Sequence, residues 1–388
     1  MLDLSGLFPH IEAMVKHCRA NADNNKQKLK AAAQSLSQLN GRLKEIAKRV
    51  QESKTSWLVA EPVEDAAVTH PLPPPPGEYQ VLASDGSQLF PDHHEVVLCY
   101  LINIGTAALE YGNNPGAELN SEPKLYYREE DLYMEEDGVK RLVDSQRVSA
   151  LRTLEEAEAL VKMSRRCKAG TVVALTDGTL IQWAAEQQGK WAENFLTALV
   201  SSYESLRQRR VPLAGYISGS RSTDVINMLR VQLCPQLRVD CDHCARRGQP
   251  DSPCESVSGL RDAALFAGWL EYGRRSALFK SNSKVLEKYG EHRIYFFYVN
   301  VGMEIIRVEV PRWVALDTEY INTVHSVVVD QAQKGGGYPV CLAEAHRQAV
   351  VSGSDRKVFY ELVNRKLIES GLLSEITCKS MRKRSVPV

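Results

Sequence analysis

Two stretches of this chain place carboxylates where hydrolytic chemistry could use them: Val81-Leu82-Ala83-Ser84-Asp85-Gly86-Ser87 and Val172-Val173-Ala174-Leu175-Thr176-Asp177-Gly178-Thr179. In each, a short β-prone apolar run ends in Asp-Gly-Ser/Thr. That pattern predicts an aspartate where a strand stops and the chain turns at glycine. One copy alone reads as an Asp-Gly hairpin turn. Two copies, each leaving a buried-type strand, predict convergent carboxylates if the strands are neighbours, and such a pair of anions calls for a divalent cation.

The intervening elements decide whether the strands meet. Strands are expected at 79–84, roughly 94–104 and weakly near 124–128, with a polar Gly/Asn/Pro turn at 111–117, then a helix over 145–167 closed by Gly170, then the second aspartate strand at 171–177. Strand with Asp, hairpin strands, helix, strand with Asp is the opening order of a ribonuclease H-like α/β fold, a mixed sheet flanked by helices. In that fold a helical carboxylate joins the two strand aspartates at a two-metal site. On a 100° wheel Leu154, Ala150, Ala157, Val161 and Leu151 form the buried stripe. Glu158 then falls within that stripe, Glu155 at its edge and Glu156 on the far side. A carboxylate on an apolar face is costly unless paired or metal-bound, so the wheel favours Glu158.

Over 388 residues, 44% hydrophobic and 25% charged with Lys plus Arg and Asp plus Glu equal at 48, nothing global announces nucleic acid. Residues 1–60 carry ten Lys/Arg against five Asp/Glu, so attraction of a polyanion would come from patches. No apolar run approaches a membrane span and the N-terminus lacks the order of a signal peptide, which predicts a cytoplasmic protein with mostly reduced cysteines. Residues 1–60 read as a helical extension with the seam Leu29, Ala32, Leu36, Leu39, Leu43, Ile46 and Val50, suited to the main domain, a self-paired coil or a docking partner. Residues 61–78, with Pro71 and Pro73–Pro76, read as a linker, and 79–388 as the main domain. A Cys-rich insertion at about 234–254 holds Cys234, Cys241, Cys244 and Cys254. Structural zinc, an iron–sulfur cluster and free thiols all remain open for it. Gly219-Ser220-Arg221-Ser222 after a strand suits either a phosphate or an ordinary loop, and Lys379, Arg382, Lys383 and Arg384 form a basic tail.

Ser84-Asp85-Gly86-Ser87, Thr176-Asp177-Gly178-Thr179-Leu180, Gly215-Tyr216-Ile217-Ser218, Arg307-Val308-Glu309-Val310-Pro311, and Gly337-Tyr338-Pro339 through Ala345-His346 occur in an order that resembles the NurA family of DNA repair nucleases. The resemblance runs from about residue 79 to the C-terminus. It implies a ribonuclease H-like domain, a homodimer, and Mn²⁺- or Mg²⁺-dependent DNA degradation with 5′ to 3′ polarity. It also implies work alongside a HerA-like hexameric translocase in processing double-strand breaks. Carried over by position, the site comprises Asp85, Asp177, Tyr338 and His346. The family's Arg-x-x-x-Glu-x-x-x-Leu pattern selects Arg152, Glu156 and Leu160, whereas the wheel selects Glu158, and both glutamates stand. Asp85, Glu158, Asp177 and His346 are then expected metal ligands, with Tyr338 orienting the scissile phosphate. The rival readings are a non-catalytic DNA-binding adaptor of a ring translocase and a small-molecule phosphoesterase.

Overall fold

The computed structural model describes residues 4–372 apart from 93–94, 96, 137, 168–169, 187–188 and 250, so the basic tail at 379–384 lies outside the described residues. The longer helices are α1 (Phe8–Ser37), α2 (Leu43–Glu52), α3 (Ser145–Ser164), α4 (Lys190–Gln208), α5 (Asp224–Leu233), α6 (Thr318–Lys334), α7 (Val340–Ala349) and α8 (Gly353–Glu369). The longer strands are β1 (Tyr79–Leu89), β2 (Tyr100–Tyr111), β3 (Gly116–Tyr126), β4 (Thr171–Asp177), β5 (Leu213–Ile217), β6 (Ile294–Asn300) and β7 (Ile305–Pro311). They cluster into two compact units. One comprises residues up to 75, 178–181 and 214–337; the other comprises 76–177, 182–213 and the chain from Tyr338 onward.

In the first unit the N-terminal seam is used internally. Ala32, Leu36, Leu39, Ile46 and Val50 are buried with Val225, Ile226 and Leu229 of α5 and with Val257 and Phe266, and Leu29 packs against the same core. Gly41, at φ +74°, supplies the left-handed residue between α1 and α2. The stretch read as a linker contributes two short strands. Glu61–Pro62 pairs with Phe279–Lys280, and Thr69–His70 with Arg275–Ser276. β6 and β7 form an antiparallel hairpin, and β7 continues antiparallel onto β5. At its centre Arg307, 3% exposed, is held 2.9 Å from both Asp224 and Glu309. Glu309 in turn accepts hydrogen bonds from Thr179 Oγ1 at 2.7 Å and Leu180 N at 2.9 Å. The Arg307-Val308-Glu309 run is therefore a buried ion network in which each charge has a partner.

The second unit holds the mixed sheet that the sequence predicts. Its order is β3-β2-β1-β4: β1, β2 and β3 form an antiparallel meander, and β4 runs parallel to β1. α3 is the crossover between meander and parallel strand, as a parallel pair requires. Asp144 caps α3 by accepting from Arg147 N at 2.8 Å. Three expectations need correction. β2 spans Tyr100–Tyr111 rather than roughly 94–104. β3 spans 116–126 rather than 124–128, and nearly every residue along it is exposed, so it carries no apolar alternation to read. β1 does not stop at Asp85: it runs on to Leu89, paired with β2 through Leu89↔Leu101. What stops is its parallel neighbour, since the β1–β4 register ends at Ser84↔Thr176. Asp177, by contrast, does end β4, and Gly178 follows at φ +94°. Among the described residues no helix is long and apolar enough to cross a membrane.

Candidate active site

Side chains alternate along β1, which assigns its residues to two helices. Ser84 and Gly86 face α3: Ser84 Oγ donates to Glu156 O at 2.9 Å, and a Cβ on Gly86 would lie 2.6 Å from Arg152 Cγ and 2.7 Å from Glu156 Oε1. Gly86 is therefore a gap for the helix and not a turn. Asp85 and Ser87 face α7. Ser87 Oγ donates to Ala349 O at 2.6 Å and Asn103 Nδ2 to the same carbonyl at 2.8 Å, satisfying carbonyls at the C-terminal end of α7. Gly105, opposite Asp85, admits α7 closely; a Cβ there would meet Ala345 O at 2.2 Å. Cys341 Sγ–H, buried at the start of α7, reaches Val81 O at 3.3 Å.

This packing brings His346 to Asp85. Their Nδ1 and Oδ2 atoms are 2.6 Å apart, and in the tautomer that carries Nδ1–H the imidazole donates to the carboxylate. The other oxygen, Oδ1, accepts from Gly86 N at 2.8 Å. Tyr338 hydrogen-bonds the Asp177 carboxylate. Burial, aided by Asp85, raises the pKa of Asp177 above the usual aspartate range against the opposing effects of Tyr338 and His346. Asp85, Asp177, Tyr338 and His346 all belong to the second unit, so their grouping is a property of one compact body.

Burial separates the three helical glutamates. Glu158 is exposed, in a stripe with Lys162, Arg165 and Arg166 that is the solvent side of α3. The wheel's placement of Glu158 in the buried stripe is thus corrected. α3 is covered both by the sheet and by α4, so most of its circumference is buried and the apolar residues mark no single face. Glu155 is buried; its Oε1 accepts from Tyr126 OH with Lys124 Nζ 3.5 Å away, while its Oε2 is buried without a hydrogen-bond partner. Glu156 is 16% exposed and lies over Gly86. Burial pushes its pKa up to about 8; Asp85 and Asp177 add to the rise, and Arg152 opposes it. Arg152 Nε is 3.1 Å from Glu156 Oε1 yet is not aligned to donate, so that oxygen is buried without a hydrogen-bond partner. Arg152 instead donates to Gly86 O at 3.3 Å and Gln88 Oε1 at 3.1 Å, bracing α3 against β1. The wheel gives Arg152 and Ser84 no role; the Arg-x-x-x-Glu pattern, which places Arg152 four residues before Glu156, is the signal that selects Arg152.

Three mutually repelling carboxylates, one with an unpartnered buried oxygen, are the hard oxygen donors that Mn²⁺ or Mg²⁺ takes. Among the described residues, however, no three His, Cys, Asp or Glu side chains already enclose an ion, so coordination requires these side chains to draw together. The cysteine cluster gains no support as a zinc site. Cys234, Cys241, Cys244 and Cys254 are free thiols, and burial, with the neighbouring cysteines, raises Cys241 to about 11.

With this geometry in hand, comparison with known proteins gives a family. The NurA domain model matches residues 79–351, more than half of the chain. The chain belongs to the NurA family. The NurA match covers every residue of the candidate site. No curated protein matches. Among solved structures, the NurA nuclease from Sulfolobus solfataricus is 16% identical, with 84% of this chain and 92% of that one covered at a TM-score of 0.49. A NurA bound to dAMP and manganese is 13% identical, with 92% and 96% covered at 0.40. A NurA with manganese is 12% identical, with 76% and 90% covered at 0.37. At these scores the family assignment rests on the domain match.

Proposed function

We propose that this NurA-domain chain is a divalent-metal-dependent deoxyribonuclease hydrolysing phosphodiesters at Asp85, Glu156 and Asp177. The observation that carries the proposal is the placement of Glu156 over Gly86, its unpartnered Oε1 grouped with two strand carboxylates and with His346 and Tyr338. Relatives solved with manganese, one also with dAMP, favour Mn²⁺ and a nucleotide substrate. Bound Mn²⁺ or Mg²⁺ would neutralise the phosphate and activate water. Asp85, Glu156 and Asp177 would hold it, with His346 as a further ligand or a carrier of protons. Tyr338, anchored on Asp177, would orient the scissile phosphate by its hydroxyl. Glu158, on the solvent side, drops out of the proposed ligand set.

Family membership adds finer expectations: 5′ to 3′ exonuclease action with single-strand endonuclease activity, a role in double-strand break resection, a homodimer, a HerA-like ring ATPase partner and a cytoplasmic site of action. Digestion of 5′- and 3′-labelled single-stranded DNA with Mn²⁺, beside a generic phosphoester, tests the core proposal. DNA cleavage that Asp85→Ala abolishes supports it. Binding without turnover would favour the adaptor reading, and turnover of the small phosphoester alone a phosphoesterase.

A further inference from the structure

The C-terminal end of α7 rests on side chains of the sheet. The last carbonyls of a helix have no partner within it. Here His346 O accepts from Val350 N at 3.0 Å and Gln348 O from Asn103 Nδ2 at 3.1 Å. Ala349 O accepts from both Asn103 Nδ2 at 2.8 Å and Ser87 Oγ at 2.6 Å. Ser87 and Asn103 stand opposite one another in the β1–β2 ladder, so a single cross-strand pair grips the helix end. Asn103 is only 6% exposed, and a buried amide is costly unless both of its ends are satisfied. Its other end is: Asn103 Oδ1 accepts from Ser121 Oγ of β3 at 3.0 Å, which turns the amide nitrogen toward α7.

His346 needs such a hold. Its side chain is 65% exposed, so packing on the ring does little to fix it, and the aim of the imidazole at Asp85 comes from the placement of the helix. A slip of one residue along α7 would turn His346 by about 100° and shift it by about 1.5 Å. That is enough to break its 2.6 Å contact with Asp85 Oδ2. Gln348 and Ala349 lie within one turn of His346, so a grip on their carbonyls opposes this slip where it matters. Gly105 sets the depth of the helix, because a Cβ there would lie 2.3 Å from Ala349 N.

We infer that Asn103 and Ser87 are positioning residues for His346: by clamping the Gln348 and Ala349 carbonyls they fix the rotation and depth of α7 and hold the imidazole on the Asp85 carboxylate. The inference rests on the role proposed above for His346 in hydrolysis, but the placement it describes belongs to the metal-free protein and is measured there.

Long-range proton–nitrogen spectra of full-length protein labelled with ¹⁵N-histidine, in EDTA at pH 8, test it, with the His346 ring assigned by its loss in His346→Ala. The Nδ1–H tautomer, which donates to Asp85, is expected in the wild type. Asn103→Leu and Ser87→Ala should shift the ring nitrogens toward a mixture of tautomers. Ser164→Ala, which takes a buried hydroxyl from the Val161 carbonyl in the same unit, should leave them unchanged. In Mn²⁺-dependent DNA digestion, displacement of the imidazole should cost Asn103→Leu about tenfold and Ser87→Ala about threefold. Added to His346→Ala, Asn103→Leu should cost less than about twofold more, since it acts through the residue already removed. The inference is overturned if the His346 signals are unchanged in Ser87→Ala and in a folded Asn103→Leu, or if the Asn103→Leu loss multiplies in full on that of His346→Ala. Should Asn103→Leu not fold, Ser87→Ala decides alone. A wild type that digests no DNA while its His346 tautomer answers to Asn103 would overturn the proposed function and leave this inference standing.

Discussion

Glu156→Gln should stabilise the metal-free protein while destroying its activity. Burial and the two aspartates hold the Glu156 pKa at about 8 against an ordinary 4.5, so folding at neutral pH requires the folded state to keep a proton that the unfolded chain releases. Below pH 4.5 both states are protonated and the group is neutral to stability. As pH rises from there toward 8 the folded state is progressively penalised, and above 8 the penalty is constant. At pH 7 each unit above 4.5 costs about 1.4 kcal/mol, which bounds the penalty at roughly 3 kcal/mol. Part of this is offset on substitution, because the Gln amide brings a second buried N–H that needs a partner, so a gain of about 1–2 kcal/mol is expected. Urea denaturation in EDTA between pH 5 and 8 measures it. Wild-type stability should fall across that window, the variant should fall less, and the two should converge near pH 5. Added Mn²⁺ should raise the wild type and not the variant. A variant less stable than wild type at pH 7, or a constant gap from pH 5 to 8, would refute the reasoning.

Other substitutions separate the roles of neighbouring residues. Gly86→Ala introduces a Cβ 2.6 Å from Arg152 Cγ, so it should cost about 1–3 kcal/mol in urea denaturation and also reduce cleavage by displacing α3. Tyr338→Phe removes the hydrogen bond that favours ionised Asp177. The acidic limb of the pH–rate profile should therefore move to higher pH, with Mn²⁺ affinity falling on the order of tenfold. Asp85→Asn should lower cleavage by about 10³-fold, several kcal/mol of lost ligand, with near-UV circular dichroism unchanged.

Much of the second unit was legible because its signals are local. Asp177 follows the apolar run Val172–Leu175 and precedes a glycine that does turn, and the helix read at 145–167 is observed at Ser145–Ser164, so both were placed nearly to the residue. Gly86 misled because glycine serves two purposes, and the demand here is helix approach rather than a left-handed backbone; nothing in one strand reveals what packs on it. β3 was mostly missed because its exposed residues leave no period-2 pattern. The choice between Glu156 and Glu158 was beyond a helical wheel, since a helix buried on two sides has no single apolar face. Each unit draws on three segments of the chain; the boundary at 75/76 falls within the stretch 61–78 read as a linker, and no change of composition marks the other four.

The most direct test of the proposed site is Mn²⁺-dependent digestion of end-labelled single-stranded DNA by Glu156→Gln beside Glu158→Gln. The expected result is loss of about 10³-fold or more for Glu156→Gln, with Glu158→Gln within twofold of wild type. Retained cleavage by Glu156→Gln, or a loss confined to Glu158→Gln, would contradict the account.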